Sequence, residues 1–484
     1  MTSNSSDSLK SKAVKGILWG SISNGVQQLL ALIFGIYLGR MLTNHDYGMV
    51  GLLTVFATIS SAIQEGGFIS ALANRKNIKH EDYNAVFWTS ISISIALYVL
   101  LFCAAPYISS YFNEPELTSV ARVLFTGLLF GSLGVTHSAY LFKNMKVKER
   151  SLAVTLGTFF SGITGITLVY MGYAYWGLVF QSVVYSFTFA LICFLYSDFR
   201  PTLNFNFNPI KDLWHFSFKI LLTNVINHIN NNLLTLILGK SSITTAGNYS
   251  QAFKWSNMAQ GVIANMSHGF AQPMLSTLED DNERQKRIFN KLLNFIAFAS
   301  FPGLALLHVL AEEFITVTVG INWLPSVPIL KILCINAAFL PIINFYSNFL
   351  LSKGKSDLYM KFIVSFGFIQ LAIIYFLYPL GVMPMVWGIS FFTVFWTFMW
   401  QISVSKYAQL PYLQLFKILL YYFLAAAISA SVAYFFGSLT DNLWGKSFLK
   451  GSSFLIAYLS ILFASKSAVL LEIIQHLKNK YITK

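Results

Sequence analysis

Residues 219–272 read KILLTNVINHINNNLLTLILGKSSITTAGNYSQAFKWSNMAQGVIANMSHGFAQ. Two apolar runs long enough for helices are joined here by a short polar turn after Gly239 and Lys240. In the first run Lys219, Thr223, Asn227, Asn230 and Asn231 recur at steps of three or four, the spacing that stacks side chains on one helical face. Lys254, Asn257, Gly261, Asn265, His268 and Gln272 do the same in the second. In hydrocarbon each such group costs several kcal/mol unless it faces a bundle interior or a water-filled cavity. The pair therefore reads as two membrane-spanning helices lining a polar pathway.

The whole chain agrees with that reading. It has 484 residues, 55% hydrophobic and 11% charged, against about 25% charged in a soluble domain. A soluble globular protein is excluded. Cys103, Cys193 and Cys334 lie far apart in apolar runs, which suggests small packing residues and neither a disulfide framework nor a metal cluster. His137, His228, His268 and His308 show no metal-ligand spacing, and no cofactor motif or paired catalytic carboxylates stand out. The N-terminus is Ser-rich and basic, but the apolar run behind it is too long for a signal peptide, so the first span is expected to be retained.

A bilayer core needs about 20 apolar residues per helix, and fourteen such runs are placed between residues 16 and 465. Spans one, two, seven and eight cover 16–39, 47–65, 214–239 and 246–273. Lys and Arg alternate between the connections. Lys10, Arg75, Lys143 to Arg150, Arg284 to Lys291, Lys353 to Lys361, Lys406 and Lys417 fall on one side, and Arg40, Lys240, Lys446 and Lys450 on the other. By the positive-inside rule both termini are cytoplasmic. The net charge of +14 then belongs to loops that lie against anionic lipid, and nucleic-acid binding is not needed.

The longest connection, 197–213, divides six spans from eight. This gives an N-lobe (1–196), a cytoplasmic interfacial linker (197–213), a C-lobe (214–405), and two last spans with a tail (406–484). The halves echo each other. Trp19 precedes Leu38-Gly39-Arg40 and Asp46-Tyr47-Gly48, and Trp214 precedes Leu238-Gly239-Lys240 and Gly247-Asn248-Tyr249. Six spans separate the motifs, so the repeats enter the membrane in the same direction, a transporter pattern. The repeat partners of spans seven and eight carry stripes as well: Gly20, Asn24, Gln27, Gln28, Ala31 and Gly35 in span one, Thr54, Thr58, Ser61 and Glu65 in span two. The alternative for any single Ser or Thr is close helix packing.

The ionisable residues within or at the ends of spans are Arg40, Arg122, Lys219, Lys240, Lys254 and Lys331, and carboxylates nearly all fall in loops. Cations without carboxylate partners call for a visiting anion such as a phosphate or pyrophosphate. Arg40, Arg122, Lys219 and Lys254 are the candidates to hold it. Asn24, Gln27, Thr58, Glu65, Asn227, Asn231, Asn257 and His268 are the candidate polar lining.

Leu38-Gly39-Arg40-Met41-Leu42-Thr43 with Asp46-Tyr47-Gly48, then Glu65-Gly66-Gly67-Phe68 and Ala71-Leu72, resembles the opening signature of the bacterial polysaccharide transporter family. Asp82-Tyr83, Val86-Phe87-Trp88, Ala105-Pro106 and Pro115-Glu116-Leu117 continue the likeness, as do Gly247-Asn248-Tyr249-Ser250, Pro273 and Asp280 to Arg284. The resemblance implies an all-α polytopic membrane protein of about 14 helices, two six-helix lobes around a central cavity and two C-terminal helices. It implies a flippase, not an enzyme, in the bacterial inner membrane. The implied cargo is an oligosaccharide unit on undecaprenyl pyrophosphate, carried to the periplasmic leaflet by alternating access for O-antigen, capsule or exopolysaccharide assembly. Membrane lipids and other polysaccharide-assembly proteins are the implied partners. Two positions depart from the family pattern: Leu233, Leu234 and Thr235 stand where an Asp is frequent, and Glu65 where Asp is common. A cation-coupled multidrug exporter of the same superfamily is the first alternative, but it generally needs carboxylates inside its lobes. A membrane polymerase or ligase is the second, but it usually needs a sizeable periplasmic loop.

Overall fold

The structure, a computed structural model, describes residues 3–69, 72, 75, 78–203, 205–206, 208–268, 282–467, 469–472, 474 and 475. Within them, the side chains of 3–18, 21, 212–216, 219, 265–268 and 282 are not described. No strand occurs among the described residues.

Fourteen long helices follow one another among these residues. They are α1 (Ser3–Met41), α2 (Asn44–Glu65), α3 (His80–Phe112), α4 (Leu117–Lys143, interrupted at Phe125), α5 (Val147–Tyr170), α6 (Trp176–Tyr196) and α7 (Asn208–Ser241). Then come α8 (Ile243–His268), α9 (Asn282–Val309), α10 (Val327–Ser352), α11 (Ser356–Leu377), α12 (Val382–Ala408), α13 (Tyr412–Gly437) and α14 (Leu443–Ala464). Twelve are long and apolar enough to cross a membrane. The other two are α7 and α8, with 34 and 26 residues. They have the length to span, at about 1.5 Å per residue, but their lysines and amides lower their apolar character. The chain is an all-α, multi-pass membrane protein.

Helix α7 begins at Asn208, ahead of the expected 214. Pro209 in its first turn explains the early start, because a fixed φ and a missing N–H cost nothing there. Pro302 and Pro341 lie within α9 and α10; Pro273 lies outside the described residues.

The chain divides into two compact units, Met1–Ser250 and Gln251–Lys484. In the first, α1 packs on α5, α5 on α6, α4 on α6, and α2 on α7. Lipid tails are as apolar as Leu, so close backbone approach at small residues holds such helices together. Phe34 of α1 sits on the bare Cα of Gly162 in α5, and the Ser23 and Thr155 hydroxyls meet at 2.9 Å. Helix α2 starts on a capping box: Asp46 N–H donates to Thr43 Oγ1 (3.2 Å), and Thr43 N–H donates back to Asp46 Oδ2 (2.8 Å). It ends at Gly66, whose φ of 54° is the left-handed cap that glycine adopts without strain.

At the end of the first unit reached by the linker, Phe68, Tyr83, Phe87 and Phe199 form a buried aromatic cluster. Trp88 Nε1 donates to Thr202 O (2.8 Å), Thr202 N–H to Asn84 Oδ1 (2.8 Å), and Lys146 Nζ to Asp198 Oδ2 (2.7 Å). His137 stands edge-on to Phe194 within this cluster, a packing role.

In the second unit, α9 packs on α10 and α13, α10 on α12, and α13 on α14. Phe289 contacts Phe345 and Phe349 at ring distances of 4.8 and 4.9 Å. A short helix, Ala311–Thr318, follows α9. Its Glu313 pairs with Lys450 of α14 at 2.5 Å, both side chains at most 5% exposed. The Lys450 stem lies against the bare Cα of Gly437, and its ammonium also donates to Val309 O (3.3 Å). Cys193 and Cys334 are buried and Cys103 is exposed, all as free thiols.

Candidate substrate cavity

Within the first unit α2, α4, α5 and α6 enclose a cavity of about 690 Å³. Each wall is one helical face. Helix α2 contributes Thr54, Thr58, Ser61 and Glu65, at steps of four, three and four; α5 contributes Arg150, Val154, Thr158 and Ser161. Helix α4 contributes Leu124, Gly127, Leu128, Gly131, Val135 and Ser138, and α6 presents Gln181, Ser182, Tyr185 and Ser186.

The hydroxyls spend their protons on their own helices. Thr54 Oγ1 donates to Val50 O (2.7 Å), Thr58 to Val55 O (3.0 Å), Thr158 to Val154 O (2.9 Å), and Ser161 to Thr158 O (3.0 Å). A hydroxyl has one proton and two lone pairs, so each oxygen is left as an acceptor. With its amide nitrogen turned to Leu128 O (3.1 Å) and its oxygen to Ser132 N (2.7 Å), Gln64 is satisfied by α4.

Glu65 and Arg150 carry the only formal charges among the described lining residues. Arg150 Nε donates to Ser138 Oγ (3.2 Å), and its guanidinium lies 5.3 Å from the Phe142 ring centroid. That leaves a fork of terminal N–H groups at the edge of the cavity, the geometry that suits carboxylate or phosphate oxygens. The sequence stripe missed Arg150, because it falls in a run of charges that reads as a loop.

The expected site residues are placed as follows. Thr58 and Glu65 line the cavity. Gln27 is spent between α1 and α5, its amide donating to Ser23 Oγ (2.8 Å) and Thr155 Oγ1 (3.4 Å), and Asn24 is exposed on α1. Arg40 is exposed at the end of α1. Arg122 lies against Phe102 of α3, 4.2 Å from its ring centroid, and is not among the residues lining the cavity. On α7 Asn227 is half-buried and Asn231 exposed. The Lys219 and His268 side chains lie outside the described residues.

In the second unit Lys254 and Asn257 are half-buried on α8, and the Lys254 ammonium stands 5.3 Å from the Trp255 ring centroid. No cluster of metal-ligating side chains occurs among the described residues.

Known proteins agree with this architecture. A family profile described as polysaccharide biosynthesis protein matches residues 37–328. The lipopolysaccharide biosynthesis protein WzxC of Escherichia coli is 23% identical over 73% of this chain and 73% of its own length. The teichuronic acid biosynthesis protein TuaB of Bacillus subtilis is 24% identical over 72% and 73%. Among solved structures, the lipid II flippase MurJ in an inward closed conformation superposes with a TM-score of 0.78, covering 93% of this chain and 100% of that one at 16% identity. An inward-facing multidrug resistance transporter of the MATE family reaches 0.60 over 78% and 95%, at 15% identity. At these identities the two structures speak for the fold. The profile covers more than half of the chain, and the chain belongs to the polysaccharide biosynthesis protein family.

Proposed function

We propose that this chain is a flippase that carries an undecaprenyl-pyrophosphate-linked oligosaccharide from the cytoplasmic to the periplasmic leaflet by alternating access. It is a transporter, not an enzyme. The observation that carries this reading is the polar cavity in a lipid-facing bundle, in a chain of a polysaccharide biosynthesis family. Its walls offer hydroxyl oxygens as acceptors, which suits the hydroxyl donors of a sugar. The names of the relatives, among them a succinoglycan biosynthesis transport protein of Rhizobium meliloti, support a polysaccharide precursor as cargo.

In this reading Arg150 meets the pyrophosphate in the cavity, and Lys219, Lys254 and Arg40 are the cations it meets at other stages of its path, while Arg122, packed on Phe102, is left out. Asn24, Thr58, Glu65, Asn227, Asn231, Asn257 and His268 line the sugar's path, and Gln27 braces α1 against α5. The lobes are 1–196 and 214–405, linked through 197–213, with 406–484 as an appended pair of spans and a tail. The protein sits in the bacterial inner membrane with both termini cytoplasmic, beside other polysaccharide-assembly proteins.

The test is translocation in proteoliposomes, comparing a pyrophosphate-linked oligosaccharide lipid with a cationic dye under an imposed ion gradient. Movement of the lipid-linked sugar, lost in the folded Arg40→Gln/Lys254→Gln double variant, is the expected result. Dye export past a stationary lipid overturns the reading in favour of a drug exporter. Full lipid transport by the double variant sinks the phosphate-site assignment alone.

A further inference from the structure

A second cleft lies in the Gln251–Lys484 unit, between α9 and the first turns of α13, with a volume of about 500 Å³. Gln414, Lys417 and Tyr421 line it at steps of three and four along α13, so they share one helical face. Asn294 faces them from α9, and Leu413 and Ile418 supply the apolar wall. Asn294 is already tied down: its Nδ2 donates to Asn290 O (2.8 Å), and its Oδ1 accepts from Tyr422 O–H (3.4 Å).

Two features give the cleft a chemistry. Its described lining holds one cation, Lys417, and no carboxylate. Leu413 beside it is 59% exposed, which a membrane protein does at the hydrocarbon boundary. The lysine distribution places this end of α13 on the cytoplasmic side, where basic pockets between helices receive anionic headgroups. A single ammonium with the Gln414 amide beside it and an aliphatic wall on the other side matches a headgroup and the start of its acyl chains, the Tyr421 phenol being hydrogen-bonded to Ser465.

We propose that this cleft is a binding site for the phosphate headgroup of an anionic glycerophospholipid of the cytoplasmic leaflet, with Lys417 as its charge partner. The lipid-linked substrate has the same phosphate chemistry but also bears an oligosaccharide. The polar side of this shallow cleft is Asn294, Gln414, Lys417 and Tyr421, and Asn294 and Tyr421 already have hydrogen-bond partners, so little is left to receive those sugars and bulk phospholipid is the occupant. The site shares no lining residue with the transport cavity and does not depend on the transport reading.

Native mass spectrometry of the full-length protein in detergent tests it, with phosphatidylglycerol, phosphatidylethanolamine and undecaprenyl phosphate offered in turn. Phosphatidylglycerol is expected to be retained over phosphatidylethanolamine. Lys417→Gln is expected to lower its retention about tenfold, the size of one charge-assisted contact. Leu413→Trp, which fills the cleft and keeps the charge, is expected to lower it too, and Lys406→Gln to leave it unchanged. Equal retention by wild type, Lys417→Gln and Leu413→Trp overturns the site. Displacement of phosphatidylglycerol by equimolar undecaprenyl phosphate overturns the phospholipid assignment and gives the cleft to the substrate lipid.

Discussion

Gly247 of α8 presses its bare Cα against the backbone carbonyl oxygen of Asn44 at the start of α2, so close that any Cβ would overlap that oxygen. The contact is reciprocal. Gly48 of α2 meets the carbonyl oxygen of Ile243 in the same way, and Asn44 Nδ2 donates to Asn248 Oδ1 at 2.5 Å. The two echoed motifs of the sequence, Asp46-Tyr47-Gly48 and Gly247-Asn248-Tyr249, thus touch each other backbone to backbone. Gly247→Ala or Gly48→Ala is expected to cost about 1–3 kcal/mol through overpacking, read as a lower Tm in detergent. Gly51→Ala is the control, because its Cβ would meet the Ser250 hydroxyl at 2.8 Å, a side chain that can turn away. Equal Tm values for all three would refute the tight contact.

The buried Glu313–Lys450 pair makes a second prediction. Lys450→Met leaves the buried Glu313 carboxylate with only the more distant Lys446 ammonium, 3.9 Å away, and breaking a buried pair costs about 3–5 kcal/mol. Glu313→Leu/Lys450→Met removes both charges and is expected to recover most of that loss. Thermal unfolding of the single and double variants decides it; a wild-type Tm for the single variant shows that the pair contributes nothing.

For the cavity, Gly131→Leu is the informative substitution. A Cβ at Gly131 would lie in ordinary contact, 3.6 Å from the Gln64 amide, so the larger side chain extends into the open space without a backbone clash. Translocation is expected to fall at least about tenfold at an unchanged Tm. Arg150→Gln is expected to lose about tenfold as well, equivalent to one charge-assisted hydrogen bond. Normal flipping by Gly131→Leu would move the pathway elsewhere.

The linker predicts a pH response. The Lys146 ammonium, and after it the Tyr140 hydroxyl, hold the Asp198 carboxyl below its usual range. Donating that bond to Asp198 in turn raises Lys146 above the usual lysine range. A depressed carboxyl contributes above its unfolded pKa and is lost as pH falls through its folded one. A raised lysine contributes below its unfolded pKa and is lost as pH rises through its folded one. Protection of the 197–203 amides, taken relative to the intrinsic exchange rate at each pH, is therefore expected to hold between roughly pH 5 and 9, within the window bounded by ordinary carboxylate and lysine values, and to fall on either side of it. Asp198→Asn is expected to exchange faster within that window; unchanged exchange removes the pair as the linker's anchor.

Much of the fold is legible in the sequence, since apolar runs of helical length and the loop lysines depend only on local composition. The stripe Thr54, Thr58, Ser61 and Glu65 is legible too, because a step of three or four names a face. Side-chain direction across helices is not. Arg150 reads as one more charge in a basic loop until α5 is seen to start at Val147, which turns it toward Ser138. Arg122 reads as a cavity cation, yet the packing of α4 on α3 lays it on Phe102. Gln27 has the spacing of a lining residue and the contacts of helix glue.

The Glu313–Lys450 pair also bears on how the protein is made. Its partners are 137 residues apart in the chain, and at 5–20 residues per second the ribosome needs roughly 10 s to reach the second after the first. Through that interval the short helix 311–318 has no ammonium for its carboxylate, so Glu313 stays in contact with water. Its final burial waits for α14, the last of the long helices among the described residues. A nascent chain stopped before Lys450 is thus expected to display Glu313 to solvent, a mark by which quality control could tell an unfinished copy from a finished one.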